Sequence, residues 1–105
     1  MPARTSYIAE EERLDLSFEG NLDVTVSEEV CAACKRVTAN LKSCIIDLTA
    51  VDRLFDSGAA LLQMLHKHLR EYGTTVVILS DRPEITDRLA TLTAGAWHIS
   101  PLHRA

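Results

Sequence analysis

The 105-residue chain lacks the features that mark several classes of protein. Its 11 lysine and arginine residues are outnumbered by 15 aspartate and glutamate residues, and the basic residues form no cluster. A surface that neutralises nucleic-acid phosphates needs a basic stripe, so we expect no nucleic-acid partner. The chain has no apolar run near the ~20 residues that cross a bilayer, and its first residues lack the apolar core of a signal peptide. We therefore expect a cytoplasmic protein that does not insert into membranes.

Cysteine and histidine are scarce, and their spacing does not form a metal motif. Cys31 and Cys34 have a CxxC spacing, but they fall inside a helical pattern rather than at the strand-to-helix junction of thioredoxin-like redox pairs. We interpret them as core or helix-surface residues, and Cys44 as a small core residue. His66 and His68 lie on different faces of a predicted helix and cannot bind one metal ion together. We therefore expect no metal site.

Motifs of catalysis and cofactor binding are also missing. The sequence has no glycine-rich phosphate loop, no Ser-x-x-Lys pair and no nucleophile elbow. A response-regulator receiver would need an adjacent acidic pair after its first strand and a lysine after a late strand, where this chain has Leu79-Ser80-Asp81. We expect a protein that is not an enzyme and holds no cofactor.

The hydrophobic pattern alternates between strand and helix periods. It predicts helices at about 27–41, 56–72 and 84–92, and strands at 6–9, 13–19, 43–48, 74–79 and around 97–99. Gly20-Asn21 should end the second strand, Ser27 should cap the first helix, and Gly73 should stop the second helix. Strands 43–48 and 74–79 are nearly continuous apolar runs, which predicts central strands covered on both faces.

This order of elements predicts the fold class. We expect an α/β protein with a mixed sheet of about four to five strands and crossover helices packed on it. The composition, with 47% hydrophobic and 25% charged residues, is that of an ordinary globular protein. A chain of this length supports one hydrophobic core, so we expect a single domain over residues 1–105 and leave homo-oligomerisation open.

The segment from Ile45 to Leu62 carries the most information about function. It begins as a buried strand, continues through a predicted exposed acidic loop at Asp52, and ends in the start of a helix at Asp56-Ser57-Gly58. Together with Gly20-Asn21-Leu22-Asp23 and residues 89–95, this segment resembles the STAS domain family of anti-sigma factor antagonists over about residues 13–99. In that family an Asp-Ser-Ser/Thr-Gly motif opens the helix, and a partner kinase phosphorylates the first Ser or Thr after the Asp.

The resemblance implies a role for each residue of the motif. It aligns Phe55 with the family's Asp, Asp56 with the phosphoacceptor, Ser57 with the residue after it, and Gly58 with the Gly. It implies a non-enzymatic module that docks on a protein partner through a surface formed by Asp23, Asp52, Phe55, Asp56, Ser57 and Gly58. The implied partner is a GHKL-type anti-sigma kinase. The alternative is a STAS accessory subunit that binds the ATPase of a lipid-transport ABC complex.

Asp56 has two compatible interpretations. As the residue before a helix, it can accept hydrogen bonds from free backbone N–H groups as an N-cap, typically for about 1 kcal/mol. It also carries a fixed negative charge where the family adds one reversibly, although a carboxylate has about half the charge of a phosphoserine. Ser57 lies one residue later, which on a helix turns its side chain by about 100°. We interpret Ser57 as structural. Phe55 is expected either to pack in the core on Leu22, which we favour, or to be exposed as a binding anchor.

A small ligand or nucleotide at the carboxyl edge of the sheet is a third possibility, because α/β folds bind ligands there. The sequence pattern offers only acidic residues at that edge, and these repel phosphates. We therefore rank this possibility last.

Overall fold

The computed structural model describes residues 3–92 and 98–100 of the chain. Its strands are β1 Ala3–Ile8, β2 Arg13–Leu22, β3 Ser43–Leu54, β4 Thr75–Leu79 and β5 His98–Ser100. Its helices are α1 Ser27–Arg36, α2 Asp56–Glu71 and α3 Pro83–Leu92, and short 3₁₀ turns occupy Ala9–Glu11 and Val24–Val26. None of the helices in the described part is long and apolar enough to span a membrane.

The strands form one mixed sheet in the order β1-β2-β3-β4-β5. Strand β1 is antiparallel to β2, and the remaining neighbours are parallel. A parallel pair needs a crossover, and α1, α2 and α3 follow β2, β3 and β4 in that role. The predicted α/β fold with a mixed sheet of four to five strands is confirmed. The predicted last strand is present at His98–Ser100, while Trp97 and residues 93–95 of the 89–95 motif lie outside the described residues.

The core lies on one face of the sheet. Residues of β3 alternate, so that Cys44, Ile46 and Leu48 are at most 1% exposed, whereas Ile45 and Asp47 are only half-buried. The described helices add their buried residues to the same cluster, among them Val30, Leu62, Leu65, Leu69, Ile85 and Leu89. The prediction that the central strands are covered on both faces is therefore wrong. A continuous apolar run contains the same buried alternate positions as a one-sided strand, so the run cannot distinguish the two cases.

Strands β2 and β3 are both longer than the sequence pattern predicts. Gly20-Asn21 does not end β2, because Gly20 pairs with Val51 and Asn21 with Arg53 after two shifts of register. Gly20 has a positive φ of 72°, a conformation that glycine adopts without strain, and it adjoins a shift of register at which β3 carries the extra residue, Asp52. The predicted acidic loop is likewise the end of β3, and Val51 within it is fully buried.

The helix ends also differ from prediction in part. Helix α1 ends at Arg36, not near residue 41, although Val37 and Leu41 remain buried as the connection packs back on the core. Ser27 is the first helical residue rather than the cap. Helix α2 ends where predicted, before Gly73 with its φ of 70°.

Candidate docking site at the start of helix α2

Gly58 brings helix α2 into direct contact with the backbone of β2. A Cβ atom at this position would lie 2.0 Å from the Leu22 carbonyl oxygen and 2.5 Å from the Leu22 Cδ2 atom. The Phe55 N–H donates to the same carbonyl oxygen at 3.0 Å. Only glycine permits this approach, so the first turn of α2 lies directly over the end of β2. Gly58 itself is buried, and its part in the site is to position the residues around it.

The residues around Gly58 form an exposed surface. Asp52, Phe55, Asp56 and Ser57 are all exposed, and Val24 in the adjacent 3₁₀ turn is 63% exposed. We call Val24, Phe55, Asp56 and Ser57 the α2 docking surface. An exposed apolar pair beside a charged first helical turn is a composition suited to protein contacts.

Phe55 is 40% exposed, so the expectation that it packs in the core is wrong. It directly follows β3, has extended backbone and occupies the N-cap position of α2. There it contributes to a groove of about 510 Å³ rather than to the core cluster.

Asp23 is half-buried and has a local structural role. Its Oδ1 atom accepts hydrogen bonds from the Thr25 backbone N–H at 2.9 Å and from the Thr25 hydroxyl at 2.5 Å. These hydrogen bonds from Thr25, the hydroxyl first, hold the pKa of Asp23 below its ordinary value. The carboxylate therefore fixes the turn that carries Val24, next to the α2 docking surface.

Asp56 does not cap helix α2, contrary to the sequence interpretation. Phe55 occupies the cap position without a side-chain hydrogen bond, and Asp56 is the first helical residue. The Asp56 Oδ1 atom instead accepts a hydrogen bond from Arg88 Nη2, and Arg88 Nη1 donates to the Leu54 carbonyl oxygen at 2.5 Å. Arg88 thereby joins α3 to the end of β3 and the start of α2. The negative charge at Asp56 is paired within the chain.

Two more arginines stand at the same edge of the sheet. Arg53, Arg82 and Arg88 line the groove between the end of β3 and the start of α3, together with the apolar Leu54, Phe55 and Ile85 and the acidic Asp52 and Glu84. We call it the α3 groove. The expectation that only acidic residues occupy this edge is therefore wrong. Because β3 and β4 are parallel, the residues that follow both strands meet at one edge, and counting only aspartates missed Arg82 and Arg88 after β4.

The cysteines lie away from this site. Cys31 is exposed and Cys34 half-buried on α1, and burial raises the pKa of Cys34. Cys44 is fully buried in β3, where burial, with a smaller contribution from Asp15, raises its pKa to about 12. Its thiol is therefore protonated at neutral pH, the state expected of a small core residue.

Known proteins resemble this geometry over nearly the whole chain. The anti-sigma factor antagonist SpoIIAA in its unphosphorylated form has a TM-score of 0.74 and 13% identity, covering 96% of this chain and 89% of its own. RsbS of Moorella thermoacetica, solved as a serine-to-glutamate variant, has a TM-score of 0.74 and 15% identity, covering 98% and 89%. An anti-sigma factor antagonist from Mycobacterium paratuberculosis has a TM-score of 0.69 and 19% identity, covering 95% and 86%.

These likenesses establish the fold, because all three identities are low. A comparison with the curated proteins finds no match. The model of the STAS domain family, however, matches residues 7–97, most of the chain. The chain therefore belongs to the STAS domain family.

Proposed function

We propose that this chain is a non-enzymatic, cytoplasmic interaction module of the anti-sigma factor antagonist type, which docks on a protein partner through the α2 docking surface. The observation that carries the proposal is the exposed first turn of α2, held on β2 by Gly58 and on α3 by Arg88. The packing of Gly58 on Leu22, the Phe55 hydrogen bond to the Leu22 carbonyl and the Arg88–Asp56 pair fix this turn. Phe55 and Ser57 are exposed there, and Val24 is exposed in the adjacent 3₁₀ turn. A rigid surface loses little conformational entropy on binding, which favours affinity.

The partner we propose is a GHKL-type anti-sigma kinase, by analogy with the STAS proteins that bear the name anti-sigma factor antagonist. The alternative partner is the ATPase of a lipid-transport ABC complex, and affinity purification would identify it if it binds. Neither partner needs a catalytic group on this chain.

We further propose that the docking state does not depend on phosphorylation at position 56. SpoIIAA has been solved in an unphosphorylated and a phosphorylated form, so that protein has two charge states. Here Asp56 cannot accept a phosphoryl group on a hydroxyl, and its single charge is paired with Arg88. A phosphoserine would add about twice the charge and a third acceptor oxygen. The surface thus resembles a neutral, unmodified site more than a phosphorylated one.

Affinity purification of the tagged protein from its native cell tests the proposed docking. The Val24→Glu variant places a charge in the α2 docking surface, and Tyr72→Glu is the matched control, because Tyr72 is 45% exposed at the other end of α2. Helix α2 has 16 residues and is therefore about 24 Å long, with Val24 in the 3₁₀ turn beside its start and Tyr72 at its far end. We expect the partner to be recovered with wild type and Tyr72→Glu and lost with Val24→Glu. Equal recovery with both variants would contradict the proposal.

Mapping of phosphopeptides on the same purified protein tests the proposed independence from phosphorylation. We expect no phosphate on Ser57, and we expect Ser57→Ala to bind the partner as wild type does. Asp56→Ser should restore a hydroxyl that the kinase can modify, and partner affinity should then depend on ATP. Stoichiometric phosphate on Ser57 with loss of binding would overturn this reading, since it would mean that the switch has moved by one residue.

A further inference from the structure

The α3 groove contains two arginines whose hydrogen-bonding capacity is not used within the described residues. Arg53 is exposed and has no ion pair there. Arg82 approaches Asp52 at 3.6 Å and Glu84 at 3.9 Å, both beyond hydrogen-bonding distance. Its side chain is 44% exposed, and those of Asp52 and Glu84 are each 69% exposed. The guanidinium groups of Arg53 and Arg82 are therefore available to an external acceptor.

Arg88 differs from these two arginines. Its two terminal nitrogens are occupied by the Asp56 carboxylate and the Leu54 carbonyl oxygen. It therefore forms a fixed wall of the groove rather than a free donor. The apolar residues that line the groove beside it are Leu54, Phe55 and Ile85. The groove thus offers two arginine side chains, Arg53 and Arg82, without a hydrogen-bonded partner among the described residues, beside apolar side chains. The exposed carboxylates of Asp52 and Glu84 also line it and lie at long range from Arg82.

From this geometry we propose that the α3 groove binds an acidic segment of the protein partner, in which carboxylates stand next to apolar side chains. The carboxylates reach Arg53 and Arg82, and an apolar side chain packs on Phe55. A guanidinium can donate two parallel hydrogen bonds to one carboxylate, so the contact is specific in its geometry as well as electrostatically attractive. The proposal rests on the proposed docking function and adds the chemistry of the bound segment, because Phe55 belongs to both the groove and the α2 docking surface.

Binding at Arg82 must compete with Asp52 and Glu84. Both carboxylates are exposed and at long range, so their pairing with Arg82 is weak in water. A partner carboxylate at hydrogen-bonding distance replaces them without burying an unpaired charge. Removal of a competing carboxylate should therefore strengthen binding of the acidic segment. A groove that binds through apolar contacts alone would not show this effect.

The experiment is an amide chemical-shift titration of the whole chain with two blocked hexapeptides. The probe alternates glutamate and leucine, and its neutral control alternates glutamine and leucine. We expect saturable shifts at Arg53, Phe55 and Ile85 with the acidic peptide, and binding at least about fivefold weaker with the neutral one, as expected for the loss of two exposed ion pairs. Equal affinity for both peptides, or shifts confined to other surfaces, would overturn the proposal.

Variants of the groove sharpen the test. Combined Arg53→Gln and Arg82→Gln should weaken binding of the acidic peptide about five- to tenfold, whereas Arg4→Gln, a matched loss of an exposed arginine on β1, should leave it unchanged. Glu84→Gln should strengthen binding about twofold. A weaker complex with Glu84→Gln would contradict the competition. Failure of the peptide titration while Val24→Glu still abolishes partner recovery would remove this inference and leave the proposed function intact.

Discussion

Replacement of Gly58 by alanine tests how the site is built. The added Cβ would lie 2.0 Å from the Leu22 carbonyl oxygen and 2.5 Å from its carbonyl carbon, so a backbone atom must move by about 1 Å or more. Alanine gains about 1 kcal/mol over glycine in a helix interior. Forcing a methyl group into packed space typically costs about 1 to 3 kcal/mol and occasionally more. Because a strand backbone cannot rotate away as a side chain can, we expect the upper end and a net loss of about 2 kcal/mol.

Urea unfolding of wild type, Gly58→Ala and Gly73→Ala measures this loss. Gly73 is the comparison, because its added Cβ meets no atom within 4 Å and only the positive φ of 70° opposes it. That conformation costs about 1 to 2 kcal/mol for a non-glycine residue. Gly58→Ala should also shift the amide resonances of Leu22 and Asp56, which Gly73→Ala should not. Unchanged or increased stability of Gly58→Ala would refute the close approach of α2 to β2.

Three further predictions concern the core and the ion pair at the site. Leu65→Ala should lower the free energy of unfolding by about 2 to 5 kcal/mol, because Leu65 is fully buried. Lys67→Ala should lower it by at most about 0.5 kcal/mol, because Lys67 is exposed. Similar losses for the two variants in urea unfolding would mean that the buried face of α2 is misassigned. Burial raises the pKa of Cys44 to about 12, so above pH 9 the unfolded chain releases this proton and the folded chain keeps it. The free energy of unfolding of wild type should therefore fall relative to that of Cys44→Ala between pH 9 and 12. A difference between the two proteins that does not change with pH would contradict the burial of Cys44. Arg88→Gln should lower the free energy of unfolding by about 1 to 2 kcal/mol, because it loses both the ion pair with Asp56 and the hydrogen bond to the Leu54 carbonyl oxygen. Asp56→Asn should lower it less, because only the exposed ion pair is lost. A larger loss of thermal stability for Asp56→Asn than for Arg88→Gln would argue against the two contacts of Arg88.

The order of strands and helices could be predicted because local patterns determine it. The run at 74–79 is rich in β-branched residues, which predicts a strand, and the structure has β4 there. The spacing of Leu62, Leu65 and Leu69 is helical, and the structure has α2 there. The ends of β2 and β3 could not be predicted in the same way. Gly20-Asn21 has the composition of a turn, and only the pairing with β3 keeps it in a continuing strand.

The candidate site was predictable to the extent that it lies on one segment. Asp56, Ser57 and Phe55 follow one another in sequence, and the structure puts them together at the exposed start of α2. Arg88 was missed because it is 32 residues from Asp56, and no local pattern relates the two. The role of Gly58 was missed for the same reason, since the contact with Leu22 depends on how the helix sits on the sheet. Side chains that meet through topology require the structure.

The claim that the start of α2 is the docking surface can be tested by photo-crosslinking in the native cell. A photoreactive phenylalanine analogue replaces Val24 in one variant and Tyr72 in the other. Both positions are exposed; Val24 lies in the 3₁₀ turn beside the start of α2, and Tyr72 lies at the other end of that helix. We predict that the variant at position 24 captures a single partner protein covalently after irradiation, and that the variant at position 72 does not. Capture of that partner at position 72 with none at position 24 would contradict the account.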